Sequence, residues 1–277
     1  DLYHLTGRVV AAESTCFAAS VLFAMKSRIE KMLPETYAHS CSSFVSIFDQ
    51  ISSQLRVLVL RSVCPLLVQK TETVRRILDC SWDSRNMAED AHAWVRELTQ
   101  RVASSWENIE EGLGPRTAQM KQNRDLLWVE MQQAVYDAVL DGYTAVKKCS
   151  NEGRAGMQMD LSGVEAAFKA VQKKLGWNKA PECPRGKVHV DAYLRACFLD
   201  ETEMMKWVKV NWQAYCYRHL RGLLSQNIKS MLSQKRLKEA MAELDSLYAQ
   251  EQQFVEEAPQ RRRSMFMTKS PLQSMAK

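Results

Sequence analysis

Residues 86–112, NMAEDAHAWVRELTQRVASSWENIEEG, decide the fold class. Met87, Ala91, Trp94, Leu98, Val102, Trp106 and Ile109 recur at steps of three and four, with charged and amide side chains between them. That spacing is one apolar face of an amphipathic α-helix, not the period-two alternation of a half-buried strand. Gly112, Gly114 and Pro115 close it as a C-cap glycine and breakers. Trp94 and Trp106 lie on the face and are expected in the core.

The neighbouring segments read the same way. Residues 5–33 carry an apolar stripe of Val9, Ala12, Cys16, Ala19, Phe23 and Ile29, ended by Pro34. Residues 36–69 continue as helix, and the run Leu55 to Leu60 reads as a buried part of it, with Pro65 kinking or ending it. A helix over about 118–148 sets Trp128, Val135, Val139, Gly142, Val146 and Cys149 on one face, and another follows over about 160–175. Two glycines and two prolines between 176 and 187 predict a loop and a sub-boundary. Beyond it come helices over about 188–199 and from Asp200, which with Glu203 resembles a capping box. The last helix, about 233–256, repeats Leu237, Ala240, Leu244, Leu247 and Phe254.

Composition agrees with helix. Of 277 residues only ten are glycine and seven proline, too few for turn-rich all-β or low-complexity chains. Residues 258–277 hold five basic side chains and no acid, which leaves the preceding 257 residues with 33 basic against 32 acidic side chains. A body so nearly neutral lacks the basic patch of a nucleic-acid binder. Eight cysteines without a C-x-x-C pair read as reduced, mostly buried thiols. The longest nearly apolar stretch, Ser14 to Met25, is 12 residues, short of the ~20 that cross a bilayer. The start Asp1-Leu2-Tyr3 has no signal-peptide character and suggests a domain of a longer chain.

Catalytic and ligand motifs are missing. No phosphate-binding glycine loop, nucleophile elbow or H-E-x-x-H occurs. Cys183, His189 and Cys197, with Cys216 and His219, are the best metal candidates, but spacings of six and eight residues are not those of paired zinc ligands. His39, His92 and His219 read as ordinary helix histidines, and the seven tryptophans as packing residues. No enzyme activity, cofactor or small-molecule substrate is expected.

One stretch is not explained by helix packing. Gly142 to Ala155, GYTAVKKCSNEGRA, sets a polar cluster inside a helical region. It resembles the G-Y-x-x-V-K-K-C-[ST]-N-E-G-R-A signature of the syndetin C-terminal domain family, and Met157-Gln158-Met159-Asp160 is similar to that family's M-Q-L-D. Val190 to Ala196 and Leu199 to Trp207 resemble its V-E-x-Y-[IL]-[KR]-A-x-x-L-x-E-x-[DE]-M-x-[KR]-W. Leu2-Tyr3 and Arg8 to Ser14 resemble its L-Y and R-I-V-A-S-E-S. The loop at 176–187 and the chain after about Ala249 depart from the family, so nothing is carried over to them.

The resemblance implies an all-α fold, an elongated multi-helix bundle like the helical rods of multisubunit tethering-complex subunits. Residues 1–257 would be the domain; apart from the resemblance, the loss of periodicity from Ala258, with Pro259, Pro271 and five basic side chains, makes 258–277 a basic tail expected to be disordered. It implies a non-catalytic part of the endosome-associated recycling complex, acting in endocytic recycling, endosome-to-plasma-membrane and Golgi retrograde transport, and supporting SNARE-dependent fusion. The implied partners are the three subunits shared with the Golgi-associated retrograde complex and SNARE proteins. The implied place is the cytoplasmic face of recycling endosomes and the trans-Golgi network. The alternative is a helical membrane-binding or cargo-adaptor module outside such a complex. Within the motif, Lys147, Lys148, Asn151, Glu152 and Arg154 are either a polar helix junction, with Lys148–Glu152 an i,i+4 pair if helix persists, or a docking surface. In the tail, Arg261, Arg262 and Arg263 beside Met265-Phe266-Met267 suit weak contact with anionic membrane, at about 1 kcal/mol per basic residue near the lipid. Ser264 and Ser270 are candidate phosphorylation sites that would cancel that attraction.

Overall fold

The helices expected from periodicity form in the computed structural model of the chain, and one of them is buried on most of its sides. The structure describes residues 4–83, 90–113, 118–177, 181, 183–231 and 235–249. Among them the chain is all-α, without a strand: α1 Leu5–Met32, α2 Glu35–Leu67, α3 Lys70–Leu78, α4 Ala93–Leu113, α5 Ala118–Ala145, α6 Asn151–Lys174, α7 Pro184–Ala196, α8 Glu201–Asn211, α9 Tyr217–Met231 and α10 235–249. The tail with Arg261, Arg262, Arg263, Ser264 and Ser270 lies outside the described residues, as do Asn86, Met87 and Phe254.

The chain divides into two compact units, one built from residues up to 143 with 150–192, the other from 144–149 with residues from 193 onward. In the first unit α5 is the central helix. Trp128, Val135 and Val139 of the face expected from its periodicity are buried, and so are Glu130, Ala134, Tyr136 and Leu140 on its other sides. Three of its buried polar side chains, Glu130, Arg124 and Gln132, have partners on neighbouring segments. Arg61 of α2 forks onto Glu130 at 2.7 and 3.0 Å, Arg124 donates to Glu110 of α4 at 2.9 Å, and Gln132 donates to the Pro181 carbonyl at 3.1 Å. An unmatched charge at such a site costs several kcal/mol, so these pairs fix which residue faces which neighbour.

The amphipathic α4 buries Trp94, Leu98, Val102, Trp106 and Ile109, the stripe expected of it. Trp106 stands edge-on to Trp128 (centroids 5.0 Å apart) and to Trp177 (5.5 Å). Trp128 meets Phe168 of α6 at 5.8 Å in the same T-shaped geometry. Such ring pairs add about 0.5–1.5 kcal/mol each to the area they bury.

Pro65 lies inside α2, which ends two residues later at Leu67. Gln69 then takes a left-handed φ of 46° and α3 begins. The C-terminal carbonyls exposed by that break are recovered from α4: Ser105 donates to Leu67 at 3.2 Å and Arg101 to Val68 at 3.3 Å. Ahead of the break, α1 and α2 form an antiparallel pair. Leu5, Val9, Ala12 and Ala19 are buried on α1, and Arg56 reaches Glu13 at 2.7 Å.

Several expectations need correction. Phe23 is exposed although it shares the angular position of the buried stripe, and Leu55 and Leu58 of the apolar run are exposed while Leu60 is buried. Only Cys64, Cys183 and Cys197 of the eight free cysteines are buried. By length and composition α1 is long and apolar enough to cross a membrane, through a window longer than the 12-residue stretch read from the sequence. The two units divide at Ala192–Tyr193, inside α7. The described part of the 176–187 loop belongs to the first unit because Pro181 accepts from Gln132, Cys183 donates to Gln133 at 3.1 Å, and Gly186 lies against Tyr136.

The second unit is held by its aromatics. Tyr193 and Trp207 pack on Tyr215 at 6.2 and 5.2 Å. Tyr248 of α10 donates to the Trp212 carbonyl at 2.8 Å, clipping the last helix onto the turn after α8. Asp200 caps α8 by accepting from the Glu203 N–H at 2.9 Å, as its spacing predicted.

Trp106→Ala is expected to cost ~3–5 kcal/mol, because it removes the ring shared by Trp128 and Trp177. A thermal melt reads this directly, and a midpoint within about a degree of wild type would contradict the buried cluster.

Candidate functional site

The polar stretch from Gly142 to Ala155 is the place where the chain leaves the first unit and returns to it. Gly142 and Tyr143 end the first-unit part of α5, residues 144–149 belong to the second unit, and Ser150 restarts the first. Helix does not persist through the stretch: α5 stops at Ala145 and α6 begins at Asn151. Lys148 and Glu152 therefore do not form an i,i+4 helical pair. The break has local causes, since Ser and Asn compete with helical hydrogen bonds and Gly costs the most backbone entropy.

On the first-unit side nearly every motif residue has a structural task. A Cβ on Gly142 would sit 2.7 Å from Ile77 Cδ1, so glycine is what lets α5 approach α3. Tyr143 is buried, donates its hydroxyl to the Met157 carbonyl at 3.0 Å, and lies edge-on to Trp82 at 5.7 Å. Ser150 donates its N–H to the Trp82 carbonyl at 3.0 Å and caps α6 by accepting from the Gly153 N–H at 3.0 Å. Gly153 and Gly156 are buried, and a Cβ on Gly156 would touch His92 at 3.5 Å.

The deepest of these groups is Asp160, with no exposed surface. Its Oδ1 accepts from the His92 backbone N–H at 2.7 Å, and Oδ2 accepts from Trp94 Nε1 at 2.8 Å. His92 Nδ1 lies 3.0 Å from Oδ2, and the His92 ring packs on Trp82 at 4.6 Å. One carboxylate from α6 thus ties down the residue that precedes α4 and the first tryptophan of that helix. Burial pushes the Asp160 carboxyl up from its ordinary value, and the His92 and Trp94 hydrogen bonds oppose that rise only in part. Sequence reasoning gave Asp160 no role beyond its place in the Met157–Asp160 match and treated His92 as a lone helix residue, because their separation of 68 positions has no local signal.

On the second-unit side Gln226 of α9 donates to the Val146 carbonyl at 2.6 Å and to the Thr144 carbonyl at 3.2 Å. A Cβ on Gly222 would come within 2.4 Å of the Thr144 carbonyl oxygen. These contacts take up the carbonyls that α5 leaves unbonded when it stops.

The five candidate docking residues differ in accessibility. Lys147, Lys148 and Asn151 are exposed, Glu152 is half-buried, and Arg154 is buried with its guanidinium 3.5 Å from Asn151 Oδ1. Among the described residues no group of three or more His, Cys, Asp or Glu is placed to hold a metal ion. Glu165, in a cleft of about 300 Å³ beside Cys183, is held by Lys187 and Lys169, which keep its carboxyl below the usual range.

An all-helical domain whose polar signature builds a chain crossing between two units is a structural class. Comparison with known proteins makes it a family: residues 2–245 match the family described as "Syndetin, C-terminal", and the chain belongs to it. Syndetin of Gallus gallus is 24% identical over 247 residues, and syndetins of Mus musculus and Rattus norvegicus are each 24% identical over 246. Each alignment covers 89% of this chain and 25% of the relative, so the chain spans about a quarter of the length of the curated relatives it matches.

Two predictions follow from this geometry. An acid whose folded pKa is raised gives its stability below the unfolded pKa of about 3.9, and loses it as pH rises toward the folded value. Asp160→Asn cannot ionise, so its deficit against wild type is expected to be largest near pH 4 and to narrow as pH rises; urea melts from about pH 4 to 8 measure it. A deficit that widens with pH would mean that the buried carboxylate is the favoured form. Gly222→Ala is expected to destabilise by ~1–3 kcal/mol through the Thr144 clash, although helix propensity alone would favour alanine by about 1 kcal/mol; a chemical melt gives the sign.

Proposed function

We propose that this chain is a non-catalytic, C-terminal helical domain of a vesicle-tethering complex subunit, acting in endocytic recycling and in endosome-to-plasma-membrane or Golgi retrograde transport. The observation that carries the reading is the family match over residues 2–245. In this proposal the domain assembles with the three subunits shared with the Golgi-associated retrograde complex. It supports SNARE-dependent fusion on recycling endosomes and the trans-Golgi network, facing the cytoplasm.

Lys147, Lys148 and Asn151 are the proposed docking residues. Their exposure at a rigidly pinned turn supports this, because side chains presented by a fixed backbone lose little entropy on binding. Arg154 is buried against Asn151 beneath that turn, and Glu152 is half-buried beside it. The tail charges Arg261, Arg262 and Arg263 are proposed to add weak, salt-sensitive membrane contact, regulated at Ser264 and Ser270.

Affinity purification of the full-length protein from cells tests the assembly. Recovery of the three shared subunits is expected, and their reduced recovery is expected for Lys147→Glu/Lys148→Glu with an unchanged melting curve. Wild-type protein that recovers none of them under conditions that keep the complex intact contradicts the tether. Full recovery with the double variant contradicts only the docking residues.

A further inference from the structure

Of the eighteen large apolar side chains exposed among the described residues, fourteen lie between residues 10 and 66, in α1, α2 and their connection. They are ordered. On α2 Cys41, Phe44, Phe48, Ile51, Leu55 and Leu58 alternate steps of three and four, the seam spacing of a helix that meets another helix. Phe44, Ile51 and Leu58 are 58%, 55% and 57% exposed, and Phe44 stacks on Phe48 at 6.1 Å. No charged residue interrupts the seam. On α1 Val10, Phe17, Val21 and Met25 form a second exposed stripe, on the side turned away from the buried Leu5, Val9, Ala12 and Ala19. An uncovered apolar area of this extent marks an interaction site.

We propose that both stripes are the seat of amphipathic helices from the same polypeptide, lying N-terminal to residue 1. Two observations favour that occupant. The matched region is the C-terminal part of relatives of which it makes up only 25%, so most of their chain precedes the helix pair that α1 opens. The two stripes also face different sides of the pair. A second copy joined through the α2 seam leaves the α1 stripe bare, and a membrane surface lying flat on one stripe leaves the other uncovered, whereas a preceding segment of several helices covers each in turn. The inference rests on the family match and not on the tethering role.

Hydroxyl-radical footprinting of the native polypeptide against residues 1–277 alone is the test. Residues 1–277 are expected to be monomeric, with Phe17, Met25 and Phe44 oxidised several-fold faster than in the native polypeptide. Ile51→Lys/Leu58→Lys is expected to leave the melt of residues 1–277 unchanged within about two degrees and to lower that of the native polypeptide. Equal oxidation in both forms overturns the proposal, as does a native polypeptide that begins at residue 1. Protection of residues 1–277 that rises with its own concentration assigns the seam to a second copy, and protection that appears only on adding phosphatidylserine vesicles assigns it to a membrane; either result also overturns the proposal.

Discussion

A single buried carboxylate organises the first unit. Asp160 gives each oxygen to a donor from the start of α4, and those donors place Trp94 at the head of the stripe that Trp106 and Ile109 continue. A carboxylate with no exposed surface is tolerated only because its hydrogen bonds replace the water it lost. The same contact puts His92 against Trp82, whose carbonyl accepts from Ser150 and whose Nε1 donates to the Ile77 carbonyl at 2.7 Å. The ends of α3, α4 and α6 are thereby fixed to one another through a few polar groups.

That arrangement gives the signature stretch a physical meaning. Gly142, Tyr143, Ser150, Gly153 and Asp160 are each spent on bringing the chain out of the first unit and back into it. Within the second unit, Gln226 and Gly222 receive the six residues between. There Gln226 takes up the Thr144 and Val146 carbonyls, so the backbone that carries the exposed Lys147 is tied to α9.

The helices were legible because their apolar residues follow a 3.6-residue period. Trp94, Leu98, Val102, Trp106 and Ile109 are buried as that period requires, and Asp200 caps α8. Periodicity does not say what lies opposite a face. The run from Leu55 to Leu60 reads as buried, yet only its Leu60 side meets the core, and Phe23 stays exposed despite sharing the stripe of Val9 and Ala19. Long-range polar pairs are invisible for a different reason. Asp160–His92, Arg61–Glu130 and Gln226–Val146 join residues 68, 69 and 80 positions apart, and neither partner is unusual in its own neighbourhood. The stretch at 147–154 was legible as a break, since Ser150, Asn151 and Gly153 oppose helix, but not as a crossing between units.

Native-state hydrogen exchange at the His92 amide tests the central role of Asp160 most directly. That N–H precedes α4 and its partner is the Asp160 carboxylate, so the account predicts exchange only through unfolding of the first unit, with the same opening free energy as the Val135 and Val139 amides of α5. Exchange of His92 by local fraying, at the rate of an exposed turn while the α5 amides stay protected, would contradict it.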